Sequence, residues 1–268
     1  YMTNFGIVTH SHWSYCGAEM RGTDRNMSRN VKAGKTKILS EWSHGSMAQG
    51  FKAAQLGLPG VYSKQMLGSD LIKYNPFVKV VENPMKSEKD PCLFIPALYP
   101  DVTIIHVHQA DMYGNCRIYG PVINDAAIAA AARKVIITAE EIVPPSAMRS
   151  DTKNVVIPFQ YVDAVVEMPY GALFGSMPGL YYWPRRFWEK MLRYWAYKEG
   201  AIDEWYDLVI KGCKDQFDII DKMLGGSKWM AYAKRLTKAE EYDNEDIGVD
   251  FHYKEWTLDD PNPDDLSV

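Results

Sequence analysis

The chain has 268 residues, 47% of them hydrophobic and 24% charged, with a net charge of −4 at neutral pH. That length can bury a sizeable core in one large domain or two small ones, and the composition is that of an ordinary globular protein. The acidic balance argues against a nucleic-acid partner, and no apolar run is long enough to cross a membrane, so no membrane partner is expected.

Cys16, Cys92, Cys116 and Cys213 are scattered, with no C-x-x-C pair. Such spacing predicts reduced, mostly buried thiols in a cytoplasmic protein rather than a disulfide framework or a zinc site. No signal-peptide pattern is visible. Tyr1 comes without an initiator methionine, a cap or a turn signal, so the chain reads as a fragment or processed product.

Ile7 to Tyr15 has the β-branched and aromatic residues of a strand, with Cys16-Gly17 as its loop. Arg21 to Ala33 predicts a helix stopped by Gly34. Thr36 to Trp42 predicts a short strand and Ser43-His44-Gly45-Ser46 a polar turn. Ser46 is the expected cap of a helix over Met47 to Gln55 that ends at Gly57. Val61 to Gly68 leads into a polar pair, Ser69-Asp70. Asn75 to Asp90 is turn-rich and predicts an edge hairpin, and Pro96 demotes Leu93 to Leu98 to an edge strand.

The stretch Pro100 to Gly120 organises the rest. Val102 to Val107 is a β-branched run suited to a strand buried on both faces. It ends in His108, Gln109 and Asp111, then in Gly114-Asn115, a pair that suits a tight turn. Ligands gather past the carboxyl ends of parallel strands, so this is where chemistry is expected. Asp125 to Arg133 predicts an alanine-rich helix thin enough to lie close on a sheet. Lys134 to Thr138 predicts the next buried strand, ending at Glu140-Glu141. Val155 to Pro158 and Val162 to Glu167 add another, ending at Pro169-Tyr170-Gly171. The alternation is that of an α/β fold with an open, mostly parallel sheet and flanking helices.

Tyr181 to Leu224 is dense in Trp, Tyr, Lys and Glu. It predicts two helices broken around Gly200 and ended at Gly225-Gly226, with aromatics that pack against a domain or subunit. From Glu240 the chain is acidic and reads as a solvated tail. The expected organisation is an α/β core over residues 1–180, a helical extension over 181–239, and the tail over 240–268.

Several polar groups admit two readings. His10-x-His12 and His106-x-His108 each place two imidazoles on one strand face, a spacing open to a metal or to hydrogen-bonded or pocket-lining histidines; no carboxylate motif completes a site, so no metal is expected. Glu140-Glu141 is either a catalytic pair or, since neighbouring strand residues point oppositely, two residues of which one caps or pairs at an interface. Ser69 either touches a ligand beside Asp70 or caps a helix. Gly114-Asn115 reads as a turn rather than a phosphate cradle, because no helix start follows at once.

Five segments, in order, carry a family resemblance: G-L-P-G (57–60), L-G-S-D (67–70), I-P-A-L-Y-P-D-V-T-I-I-H-V-H-Q-A-D-M-Y-G-N (95–115), A-A-A-R-K-V-I-I-T-A-E-E-I-V (130–143) and V-D-A-V-V-E-M-P-Y-G-A (162–172). With K-D-Q-F-D-I-I-D-K-M-L-G (214–225), they resemble the A (alpha) subunit of family I CoA-transferases, in the glutaconate CoA-transferase branch. The A (alpha) subunit of steroid ring-cleaving CoA hydrolases is a more distant likeness.

The resemblance implies a CoA-transferase (NagB/RpiA-like) type of open α/β fold, coenzyme A as co-substrate, and a B (beta) partner in a hetero-oligomer such as α2β2. It implies a glutamate nucleophile on that B (beta) partner, so no catalytic residue is assigned here beyond a possible auxiliary pair, Glu41 and His44. The substrate-binding candidates are Ser43, Ser69, Asp70, His108, Gln109, Tyr170 and Gly171. Family alpha subunits begin with an earlier βαβ segment carrying a G-G-F-type loop, which this sequence lacks. Where the family has P-[YF]-G-A-H-P this chain reads Pro169-Tyr170-Gly171-Ala172-Leu173-Phe174, and Tyr181-Tyr182-Trp183-Pro184 replaces a stretch bearing an acid. Those apolar replacements point to a bulkier or more apolar acyl group than glutaconate. His44 stands where the hydrolases' E-x-x-E-G context has its second acid, which counts against ring cleavage. A non-catalytic structural subunit is the third reading.

Overall fold

A computed structural model describes residues 5–17, 23–181, 194–195, 198 and 200–235. The chain divides into two compact units, Tyr1–Glu167 and Met168–Val268. The acidic tail, and nearly all of the stretch between Tyr181 and Gly200, lie outside the described residues.

In the first unit, His10–Trp13 (β1) pairs in parallel with Lys37–Glu41 (β2), and helix α1, Arg25–Lys32, lies between them in sequence. This helix starts later than the sequence predicts because Asp24 caps it, its carboxylate accepting the Asn26 and Met27 amides at 2.9 and 3.1 Å. Helix α2, His44–Gln55, starts earlier than expected. Its cap is Ser43, whose Oγ accepts the Ser46 amide at 3.1 Å, and Ser46 itself sits inside the first turn, donating its hydroxyl to the Ser43 carbonyl.

Gly60–Ser63 (β3), Lys79–Glu82 (β4) and Pro91–Pro96 (β5) form an antiparallel sheet in the order β3-β5-β4. Of the edge hairpin expected over Asn75 to Asp90, only β4 lies in that range, and it pairs with β5 beyond it. The edge-strand expectation for Leu93 to Leu98 is corrected, since β5 is central. Its prolines stand at the first and last positions, so the amides from Cys92 to Ile95 remain available to both neighbours.

Val102–Asp111 (β6), Cys116–Arg117 (β7), Lys134–Val143 (β8), Val155–Ile157 (β9) and Ala164–Glu167 (β10) form a five-stranded sheet ordered β10-β8-β6-β7-β9. Strands β10, β8 and β6 are parallel, and β7 and β9 are added antiparallel. The single addition expected from Val155 to Glu167 is two strands on opposite edges. Both central strands also run past their predicted ends. Gln109 pairs with Glu141, Ala110 with Ile142 and Asp111 with Val143, so the polar residues are part of the ladder.

The expectation of burial on both faces of β6 is overturned at its start. Val102 and Ile104 are 55% and 68% exposed, whereas Thr103, Ile105 and Val107 point into the core. Helix α3, Asp125–Ala131, packs against α2, β6 and β9 with Ala127, Ala129 and Ala131 buried, as an alanine face allows. One core joins Val107, Ala129, Val135, Ile137, Ala139 and Ile157, and another joins Trp42, Met66, Val78, Leu93 and Ile95.

The second unit has its own core, in which Trp205, Val209, Ile220, Leu224 and Trp229 are buried. Helix Ile202–Trp205 runs on as a π-turn through Lys211; helix Gln216–Leu224 is capped by Asp215 and stopped by Gly225 at φ 89°, and helix Gly226–Arg235 follows. Of the described tryptophans, Trp195, Trp205 and Trp229 are buried within this unit. The expected end at Gly225-Gly226 is a break between helices.

Arg117 pins the short strand β7. Only 6% exposed, it donates to the carbonyls of Ala147, Met148 and Asp151 around helix α4, Pro145–Ser150, and to Gln109 Oε1. Arg117→Met keeps most of the bulk but strands three carbonyls, so urea unfolding should show a loss of about 3 kcal/mol. A loss under about 1 kcal/mol would mean that water replaces the guanidinium.

Candidate functional site

Strand β2 delivers Glu41, Trp42 and Ser43 to the start of α2. The Glu41 carbonyl accepts Asn75 Nδ2 at 2.8 Å, and the buried Trp42 indole donates to Ser40 Oγ at 2.6 Å, so the strand end is fixed on both sides. His44 is exposed, its ring 6.1 Å from that of Tyr15. Gly45 permits a close approach: a methyl there would sit 3.0 Å from the Gln65 amide. Gln65 thus lies over the first turn of α2, its Oε1 3.4 Å from Ser43 Oγ and its backbone amide bonded to Ser63 Oγ.

Gln49, Ser63, Lys64, Gln65 and Met66 line a cleft of ≈ 440 Å³ here. Met66 is buried yet holds a left-handed backbone, φ 68°, a conformation that costs energy for a side chain of this size. Among the described residues, Gln49 Oε1 is buried and meets no hydrogen-bond donor. The Lys64 ammonium is held by the Asp90 carboxylate and the Pro91 carbonyl.

A second polar cluster occupies the far halves of β6 and β8. His106 Nε2 lies 2.8 Å from Glu140 Oε1, and its Nδ1 lies 2.8 Å from Thr138 Oγ1. With a proton on Nε2 the carboxylate accepts, leaving Nδ1 to accept the threonine hydroxyl, a geometry that can relay a proton. Gln109 donates to Glu141 Oε2 at 2.8 Å and accepts from Arg117 and Tyr119. His108 is buried, with Nδ1 accepting the Tyr119 amide at 3.1 Å. The two histidines of each H-x-H therefore serve different partners; likewise His12 meets Ser40 and His10 meets Thr9. Glu140 and Glu141 also engage different neighbours. Among the described residues no group of three or more His, Cys, Asp or Glu is placed to hold a metal.

Gly114-Asn115 forms a tight turn, with Gly114 at φ 101°. The buried Asp111 carboxylate accepts the amides of Tyr113 and Asn115 at 3.0 Å each and Asn115 Nδ2 at 2.8 Å, leaving those amides spoken for. Ser69 gives its hydroxyl to the Met66 carbonyl and makes no side-chain cap, and Asp70 is an exposed partner of Lys73. Tyr170 and Gly171 lie in the second unit, where Tyr170 is buried at φ 60° against Tyr181 and Phe217. Ser43 thus borders the cleft through Gln65, His44 lies exposed beside Tyr15, and His108 and Gln109 are neighbours on β6. Ser69 and Asp70 stand outside both clusters. Sequence reasoning missed Gln49, Gln65, Thr138, Arg117 and Tyr119, although Thr138, Arg117 and Tyr119 lay in segments already singled out and Gln65 in the stretch leading to L-G-S-D.

Cys92 and Cys116 are buried, whereas Cys16 and Cys213 are half-buried, so the thiols are less enclosed than predicted; all four are unlinked. Burial, then the nearby Asp111 charge, pushes the Cys116 thiol up to about 12. It is no nucleophile near neutrality, and iodoacetamide at pH 8.5 should leave Cys116 unlabelled in the folded protein by mass spectrometry. Bonds from Lys64, then Asn83, hold Asp90 down to about 2. Its folded value lies below the ordinary ~3.9, so the contact's stabilisation is complete above about pH 4 and is lost as pH falls through 2. An NMR titration should find that midpoint, and Lys64→Met should move it upward.

The family described as Coenzyme A transferase matches residues 8–168. Over 225 residues the chain is 36% identical to an uncharacterized protein of Archaeoglobus fulgidus, covering 84% of this chain and 49% of that one. It is 31% identical to the A subunit of 3-oxoadipate CoA-transferase from Pseudomonas knackmussii, over 70% of this chain and 65% of that one. It is also 31% identical to the A subunit of glutaconate CoA-transferase from Acidaminococcus fermentans, over 74% and 67%. The chain thus spans from half to two thirds of the length of these relatives. The crystal structure of glutaconate coenzyme A-transferase from Acidaminococcus fermentans superposes with a TM-score of 0.78 at 27% identity, covering 86% of this chain and 77% of that one. A variant of the decarboxylase AibA/AibB gives 0.67 at 25%, over 78% and 76%. The mixed α/β fold is therefore a CoA-transferase fold, and the chain belongs to the Coenzyme A transferase family, among relatives whose named members are alpha-type subunits.

Proposed function

We propose that this chain is the A (alpha) subunit of a hetero-oligomeric, cytoplasmic CoA-transferase that moves CoA from an acyl-CoA to a carboxylic acid. The observation that carries the reading is the likeness to glutaconate coenzyme A-transferase over 86% of the chain. A carboxylate nucleophile splits the exchange into easier steps. A glutamate of the B (beta) partner attacks the thioester carbonyl and expels CoA thiolate, leaving a mixed anhydride. The thiolate then attacks the glutamyl carbonyl and releases the first acid, leaving glutamyl-CoA. The acceptor acid reverses both steps.

In this reading the cleft beside α2 forms a pocket wall. Ser43 and Gln65 border the acyl group, and Glu41 and His44 stand as auxiliary polar groups at its rim. His108 and Gln109 contribute through the far end of β6, while Ser69 and Asp70 serve the substrate from outside these two clusters.

The assembled protein, this chain with its B (beta) partner, should form acetyl-CoA from butyryl-CoA only when acetate is present. Borohydride added after butyryl-CoA should abolish turnover by reducing the glutamyl thioester to an alcohol, releasing CoA thiol. Free CoA released in water alone would replace this reading with a hydrolase, and absence of any turnover would leave a structural subunit. The likeness to the decarboxylase AibA/AibB favours one further reading, and carbon dioxide released from a dicarboxylic acyl-CoA without an acceptor would establish it.

A further inference from the structure

We propose that one rigid corner of the five-stranded sheet, the β6–β7 turn with the Phe159–Tyr161 segment, is where this chain docks its B (beta) partner. The proposal rests on the hetero-oligomeric reading for the partner's identity and goes beyond it in naming where the two chains meet.

The corner is built before anything binds it. Strand β6 ends at Asp111, whose buried carboxylate gathers the amides of Tyr113 and Asn115 and the Asn115 side chain. Two backbone bonds of 3.0 Å close the turn, from the Asp111 amide to the Asn115 carbonyl and from the Gly114 amide to the Asp111 carbonyl. Asn115 Oδ1 accepts the Phe159 amide at 3.3 Å, which ties this turn to the short helical turn Phe159–Tyr161 between β9 and β10. Gly114 completes the join, since a methyl there would stand 2.8 Å from Val162 Cβ. A surface already ordered loses little conformational entropy when a partner arrives.

What this frame presents is apolar. Met112, Tyr113, Phe159 and Tyr161 are 71%, 62%, 50% and 38% exposed. On a scale of roughly 150–250 Å² for a large side chain, they hold about 300–550 Å² outside the protein. A stable interface takes about 800 Å² from each side, an apolar centre within a polar rim, so the corner is large enough to be that centre. Its composition points the same way. Neither residues 112–115 nor residues 158–161 include a charge, in a chain that is 24% charged. Loss of charge with gain of Met, Tyr and Phe distinguishes interface centres from the rest of a protein surface.

The shape selects the occupant. A turn at a strand end is a knob, and two copies related by a two-fold axis would set knob against knob. A different subunit, offering a concave apolar pocket with an acceptor for the Tyr113 hydroxyl, receives it. The corner begins three residues beyond Gln109, at the carboxyl end of β6 where ligands gather, so the docked subunit borders the residues assigned to substrate.

The test is the dissociation constant of the complex between this chain and its B (beta) partner, from sedimentation at graded dilution, beside acetate-dependent turnover of butyryl-CoA. Tyr113→Ala and Phe159→Ala should each weaken the complex about thirtyfold, as removal of an interface anchor does. Tyr113→Phe keeps the ring and should stay within about fivefold of the parent, which guards against a misfolded turn. Met85→Ala removes a methionine 88% exposed elsewhere and should change nothing. Unchanged affinity in both alanine variants, an equal loss from Met85→Ala, no complex at all, or self-association of this chain that Tyr113→Ala abolishes would overturn the proposal. A complex sensitive to both alanines that transfers nothing to acetate would instead sink the transferase reading and leave the docking corner standing.

Discussion

The structure depends above all on the parallel pairing of two ten-residue strands, Val102–Asp111 and Lys134–Val143. Parallel strands are held in fixed register only when side chains on one face are firmly buried. Val107, Val135, Ile137 and Ala139 supply that burial, each fully enclosed. With the first halves locked, the second halves carry polar residues to fixed places. His106 reaches Thr138 and Glu140 across the strand gap, and Gln109 reaches Glu141. A slip of one residue would turn every one of these groups to the opposite face.

The cleft beside α2 arises from a different device, a helix start crowded by a loop. Ser43 opens the helix with a side-chain acceptor, which is typically worth about 1 kcal/mol. Gly45, two residues on, has no side chain, and Gln65 occupies the freed space. Met66 then adopts a left-handed backbone because Leu93, Ile95 and Trp42 hold its side chain in their core. Packing energy in one place thus sustains strain at the lip of a cleft in another, a usual arrangement at sites that bind something.

Much of this was legible from residue order. The β-branched runs marked β6 and β8, the alanine run marked α3, and glycines marked the stops at Gly34, Gly57 and Gly225, because each signal acts through its own backbone. The family was also legible, since five separated segments agreed and the comparisons match the same region. What failed needed knowledge of neighbours. Pro96 looked disruptive until its place at the end of β5 was known. Ser46 looked like the cap, but Ser43 stood three residues earlier with equal chemistry. The strands outran their predicted ends because His106, Gln109, Glu140 and Glu141 satisfy one another, and no local rule sees a partner some thirty residues away. The cleft was hardest: Gln65 is unremarkable in sequence and lies over the helix start only because Gly45 leaves room for it.

The outward side of the five-stranded sheet carries an aliphatic row. Ile104, Ile136 and Ala164 stand in line across β6, β8 and β10, with Val102 and Val166 beside them, and Ile104 and Val166 are among the exposed apolar residues. Each aliphatic group left wet forgoes roughly 1.5–3 kcal/mol that burial would return. A greasy stripe of that kind makes a polypeptide poor at living alone in concentrated solution. Handled without company, this one would be drawn to chaperones, to resin and to its own copies.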